Sequence, residues 1–260
     1  MSEAIPAYSS RGDGEPTVFL LHGIGGAKEY WTLQLDVLAR ASYQAIAWDM
    51  PGYGQSALVE PYTFSGLARS LERLIDHVAP HRTMLLGHSM GGMVALEALA
   101  LFPRKIAGVI LSCTSPAFGK PDGAWQQAFL RQRLAPLDEG QSMADVAPNL
   151  VRSMVAADAD PAVVRRAVDI MSVVPLAAYR AALHALVNFD RRPLLPAITV
   201  PTLALAGDVD PNAPPSVMQK MAEKIPGATY ACLSQTGHLA SLEQPEAFNE
   251  VVLRFLKMHS

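Results

Sequence analysis

Short, largely apolar runs recur along the chain at residues 18–21, 45–48, 84–86, 109–112, 202–206 and 229–233. Runs of that length suit strands covered on both faces. Longer stretches of helical period separate or follow them, at 31–40, 64–78, 93–101, 215–224 and 245–256. The alternation predicts βα units wound into a mostly parallel sheet flanked by helices, an α/β fold. One further strand is expected at the start, near residues 7–11. The chain has no internal repeat and no low-complexity segment.

The alternation stops between residues 115 and 196, where only helical patterns occur, at 125–134, 143–155, 161–171 and 176–187. An interval of that length is too long for an ordinary connection, and long insertions in compact domains are usually functional. We therefore expect a core built from residues 1–114 and 197–260, with residues 115–196 inserted as a helical lid. Phe118, Trp125, Phe129, Met143, Met154 and Met171 make the insertion apolar, and Trp125 is the expected substrate contact.

Composition narrows the partners. Half of the 260 residues are hydrophobic and 17% are charged, enough for a sizeable core. A net charge of −3 without a basic block argues against a nucleic-acid surface. No apolar run approaches the roughly 18–20 residues that span a bilayer. The first residues show neither the basic nor the apolar region of a secretory leader, so a cytoplasmic protein is expected. Cys113 and Cys232 adjoin strand-like runs and read as buried, reduced thiols. No Cys/His spacing suggests a metal site, and no cofactor is expected. The expected partner is a small molecule, bound by a monomer or homodimer.

The chemistry centres on Gly87-His88-Ser89-Met90-Gly91, which follows the run 84–86 and leads into a helical stretch. That is the strand, turn and helix context of a nucleophile elbow, with small residues two positions either side of the serine. Serine needs a base to take its proton. Of seven histidines, His238 stands in a loop between the last strand and the last helix, on the sheet edge where active sites of this type collect. His77 and His81 flank a polar helix end, His184 falls within the insertion and His259 in the tail, while His88 reads as packing. The base in turn needs an acid to fix its tautomer. Gly207-Asp208-Val209-Asp210, after the run 202–206, offers Asp208 and Asp210. An oxyanion needs two N–H donors. The glycine-rich His22-Gly23-Ile24-Gly25-Gly26 could give that of Ile24, and Met90 the second, with His22 fixing the loop.

These motifs resemble the α/β-hydrolase fold family of lipases, esterases, lactonases and carbon–carbon bond hydrolases. The likeness covers nearly the whole chain, including Asp49-Met50-Pro51-Gly52-Tyr53-Gly54-Gln55-Ser56, similar to a structural loop of the family. It implies Asp210 as the acid, because the family's acid stands three residues after that glycine. It also gives the chain order Ser89, Asp210, His238. A serine nucleophile separates the chain from dehalogenases of this fold, which use aspartate. Within the family, the stretches 213–215 and 238–248 resemble 3-oxoadipate enol-lactonases and neighbouring small esterases. The expected activity is cleavage of a small, mostly apolar ester or enol-lactone through an acyl-enzyme. The rival activity is hydrolysis of meta-cleavage ring-fission products, and a different class altogether is a hydrolase-like small-molecule receptor. A lactonase with a dianionic product should need basic residues in the lid, where Arg131, Arg133, Arg165 and Arg166 are available.

Overall fold

The computed structural model describes residues 4–119 and 123–259. Seven strands form one sheet: β1 (Tyr8–Arg11), β2 (Thr17–Leu21), β3 (Gln44–Trp48), β4 (Thr83–His88), β5 (Gly108–Ser112), β6 (Thr202–Gly207) and β7 (Thr229–Leu233). Their spatial order is β1-β3-β2-β4-β5-β6-β7, and only β1 runs antiparallel to its neighbour, β3. β2, β4, β5 and β6 are buried at every position, as their uninterrupted apolar character requires. The edge strands β1 and β7 are exposed or half-buried at every position except Leu233. Cys232 is exposed for that reason, so the expectation of two buried thiols holds only for Cys113.

Helices α1 (Thr32–Arg40), α2 (Phe64–Val78) and α3 (Met90–Leu101) connect the strands that follow one another from β2 to β5. The chain moves outward from β2 to β3, then back past β2 to β4 and β5. Right-handed crossovers therefore put α1 on one face and α2 and α3 on the other. α2 starts at Thr63, whose side chain accepts from the Gly66 N–H, and buries Phe64, Leu67, Leu71, Leu74 and Ile75 as one stripe. α3 is apolar all round except at Glu97 because strands and α2 enclose it; Met90 to Leu99 are all buried. It begins three residues earlier than its apolar period suggested. Ser89 carbonyl receives the N–H groups of Gly92 and Met93, so the glycines join the first turn.

Between β5 and β6 the chain forms α4 (Ala124–Asp138), α5 (Met143–Arg152), α6 (Pro161–Ser172) and α7 (Leu176–Leu186). α5 opens with a reciprocal cap in which Ser142 and Asp145 satisfy each other's backbone N–H groups. The entry and exit of this insertion are tied together, Phe118 N–H to Phe189 O at 3.0 Å and Arg191 N–H to Pro116 O at 2.7 Å. Arg191 also grips the buried Glu97 of α3 through two nitrogens, at 2.6 and 2.8 Å. After β6 come α8 (Pro215–Lys224), the short α9 (Ala240–Glu243) and α10 (Pro245–Met258), which packs on α1. No described helix is long and apolar enough to cross a membrane.

Candidate active site

The strand order reverses between β2 and β4, so the loops leaving their C-terminal ends diverge and open a crevice. The turn after β4 holds Ser89 at φ 52° and ψ −121°, a left-handed conformation that strains a residue with a Cβ. The turn closes only because its flanks lack side chains. A Cβ on Gly91 would lie 2.1 Å from Leu21 O, and one on Gly87 would lie 2.5 Å from Gly91 O.

The loop after β7 brings His238 to this turn. Its Nε2 accepts from Ser89 Oγ–H at 2.9 Å, and its Nδ1–H donates to Asp210 Oδ2 at 2.8 Å. Asp210, in the turn after β6, is buried, which opposes its ionisation. The adjacent His238 and the N–H groups of Ala213 and Asn212 outweigh burial and hold the carboxyl below the usual carboxylate range. Asp208 is exposed and points elsewhere, accepting from Thr236 N–H at 3.0 Å.

The loop after β2 lies against the serine, since a Cβ on Gly23 would be 3.0 Å from Ser89 Cβ. His22 holds that loop, donating from Nδ1 to Gly23 O at 2.8 Å and accepting the Met50 N–H at Nε2 at 2.9 Å. Its complete burial lowers its pKa to about 4, so the ring is neutral, as those two bonds require. Tyr53 OH donates to Ile24 O at 3.0 Å. The N–H groups of Ile24 and Met90 take no backbone partner among the described residues. Asp49 organises the segment behind, accepting from Lys28 Nζ at 2.6 Å and from the Lys28 and Gln55 N–H groups.

Two cavities meet at Ser89 and His238. The narrow one, about 40 Å³, is bounded by the Gly23–Gly26 loop, Tyr30, His88 and Met171. His88 stacks on Tyr30 at 5.2 Å, and its ring lies 4.9 Å from that of His238. Burial, with His238 beside it, keeps His88 well below the ordinary histidine pKa. The larger cavity, about 340 Å³, runs under the insertion. Phe118, Trp125 and Phe129 pack together along it with ring centroids 4.9–5.7 Å apart, although Trp125 is 58% exposed. Met154 faces both cavities, whereas Met143 is buried in α5 and reaches neither. Of the four arginines singled out by sequence, Arg133 lines the larger cavity, whereas Arg131, Arg165 and Arg166 are exposed. No group of three or more His, Cys, Asp or Glu side chains among the described residues could hold a metal ion.

A family model described as the alpha/beta hydrolase fold matches residues 16–245. The chain belongs to the α/β-hydrolase family. A relative named "Putative carbamate hydrolase RutD", from Variovorax paradoxus (strain S110), is 32% identical over 94% of this chain and 92% of its own. Among solved structures, a thermophilic esterase from Thermogutta terrifontis with malate bound superposes with a TM-score of 0.89 at 27% identity, covering 98% of this chain and 94% of that one. The enol-lactonase from Burkholderia xenovorans LB400 gives 0.85 at 26% identity, covering 96% of each.

One residue of this α/β-hydrolase site escaped sequence reasoning. The Glu243 carboxylate accepts the N–H groups on both sides of His238, Gly237 at 3.0 Å and Leu239 at 2.9 Å. It also accepts the Ala156 N–H of the insertion at 2.8 Å, while His238 N–H donates to Met154 O at 2.8 Å. One acid therefore ties the histidine loop to itself and to the insertion. Each bond to a charged acceptor contributes about 1.5–3 kcal/mol. The available signal was an acid five residues after His238, closing the single turn of α9. Glu243→Gln replaces one acceptor oxygen with a donor and should slow single-turnover hydrolysis roughly 10–100-fold, the cost of a slightly misplaced group. Rapid-quench measurement well below the melting temperature tests this; an unchanged rate with a lowered Tm would make Glu243 a stability residue alone.

Proposed function

We propose that the protein hydrolyses a small, mostly apolar carboxylic ester or lactone through an acyl-enzyme. The observation that carries this reading is the continuous contact Ser89–His238–Asp210 at the meeting point of two cavities. Ser89 Oγ attacks the substrate carbonyl carbon while His238 Nε2 takes its proton. The ionised Asp210 holds Nδ1–H and stabilises the imidazolium that forms. The N–H groups of Ile24 and Met90 receive the oxyanion. His238 then returns the proton to the departing alkoxide, and the acyl group stays on Ser89. In the second half, His238 takes a proton from water as its oxygen attacks the acyl carbon, then gives that proton to Ser89 Oγ as the acyl C–O bond breaks and the carboxylic acid leaves. The esterase and enol-lactonase likenesses support this reading, as does the apolar wall of Phe118, Trp125 and Phe129.

Steady-state hydrolysis of a p-nitrophenyl ester series tests it: many turnovers per protein are expected, and a single stoichiometric release would instead indicate a binder. Ring-fission products assayed alongside decide between ester and carbon–carbon cleavage. Trp125 supports the acyl preference in this scheme. Trp125→Ala should change the relative kcat/KM for long against short acyl chains by roughly 1–3 kcal/mol, the worth of a few buried methylenes. An equal loss on every ester would remove Trp125 from the acyl pocket.

A further inference from the structure

The larger cavity contains a group that cleavage of an apolar ester does not use. Arg133, on α4, is the only arginine, lysine, aspartate or glutamate among the described residues that line it. It is half-buried, with its guanidinium 5.4 Å from the centre of the Phe129 ring and beside the Tyr179 hydroxyl. Both neighbours are neutral. Of the other arginines around the insertion, Arg180 pairs with Asp138 at 2.6 Å, Arg191 with Glu97 at 2.6 Å and Arg192 with Asp190, whereas Arg131, Arg152, Arg165 and Arg166 are exposed to water. Arg133 has no carboxylate within ion-pair distance among the described residues. A half-buried cation without a counter-ion loses part of its hydration, and a ring face and one hydroxyl replace that loss without neutralising the charge. An incoming carboxylate would neutralise it, and the guanidinium fork matches its two oxygens.

We propose that Arg133 binds a free carboxylate on the substrate, so that the ester or lactone opened at Ser89 carries an acid at its far end. The inference rests on the ester-cleavage reading for its chemistry, but the anion site itself can be tested without turnover. A cavity of about 340 Å³ is large enough for a short chain bearing such an acid. Phe118, Trp125 and Phe129 would pack its methylenes, leaving Arg133 and Tyr179 to take the charged end.

Two matched pairs test the proposal. Monoethyl adipate against ethyl hexanoate places the acid on the acyl side; 5-acetoxypentanoate against pentyl acetate places it on the alcohol side. In at least one pair the acid ester should be preferred by roughly 10–100-fold in kcat/KM, the worth of a charged hydrogen-bonded contact. Arg133→Gln should erase that preference, and Arg133→Lys should retain part of it. Equal or better cleavage of the neutral ester in both pairs would overturn the proposal. So would a uniform loss across each pair in folded Arg133→Gln. If no ester is cleaved, the ester reading fails and binding alone decides the anion site. Calorimetry of adipate with the wild-type protein should then show saturable binding that Arg133→Gln abolishes, and binding indifferent to that substitution would overturn the proposal.

Discussion

Ser89→Ala is expected to lower kcat by about 10⁴–10⁶ while leaving the fold intact. The hydroxyl has one partner in the structure, His238 Nε2 at 2.9 Å, so its removal leaves no other group stranded. The backbone strain at φ 52° is common to serine and alanine, and the tight packing of Gly87 and Gly91 does not involve Oγ. Thermal unfolding should therefore shift only slightly, by about 1 kcal/mol or less in stability. What disappears is the proposed nucleophile, and His238 would then have nothing to deprotonate except water. Some acceleration over solution should survive, because the proposed oxyanion donors, the Ile24 and Met90 N–H groups, and the cavity would still hold the carbonyl. Turnover within tenfold of wild type by the folded variant would exclude Ser89 as nucleophile. Loss of reaction with a fluorophosphonate that labels the wild-type protein is the accompanying check.

The sheet was legible in the sequence because buried parallel strands leave uninterrupted apolar runs, and β2, β4, β5 and β6 are buried throughout. The site was legible where chemistry and backbone geometry coincide. Gly87-His88-Ser89-Met90-Gly91 is constrained by atoms that leave no room for side chains, and a strict constraint leaves a readable motif. Glu243 was not legible because its task is to accept three backbone N–H groups, and donors of that kind carry no residue identity. The four arginines singled out in the insertion could not be told apart for a related reason. Helical period alone does not say which face of α4 looks inward, so Arg131 and Arg133 look equivalent until the helix is seated and only Arg133 meets the cavity. Cys232 misled because an edge strand can be nearly as apolar as a central one, and edge position is a property of topology rather than of local sequence.

The two acids after β6 separate the proposed mechanism from mere proximity of charge. Asp210→Asn should reduce kcat by roughly 10³–10⁴. Asparagine can keep the bonds from Asn212 and Ala213, which Asp210 Oδ1 now accepts at 2.8 and 3.0 Å, so the turn should persist. The oxygen facing His238 can become an NH₂ group, which favours the tautomer with Nδ1 unprotonated and puts the proton on the nitrogen that must accept from Ser89. Even with the amide turned the other way, no negative charge remains to stabilise the imidazolium. Asp208→Asn offers the contrast. That carboxylate is exposed and accepts a single N–H, from Thr236, two residues before His238, a bond asparagine can also accept. Its substitution should cost less than about tenfold, arising only from slack in the histidine loop. Steady-state kinetics on both variants, with folding checked by circular dichroism, decides the assignment. If Asp208→Asn proves the more damaging, His238 is oriented by a different acid from the one that touches it here, and the catalytic geometry must differ from this structure.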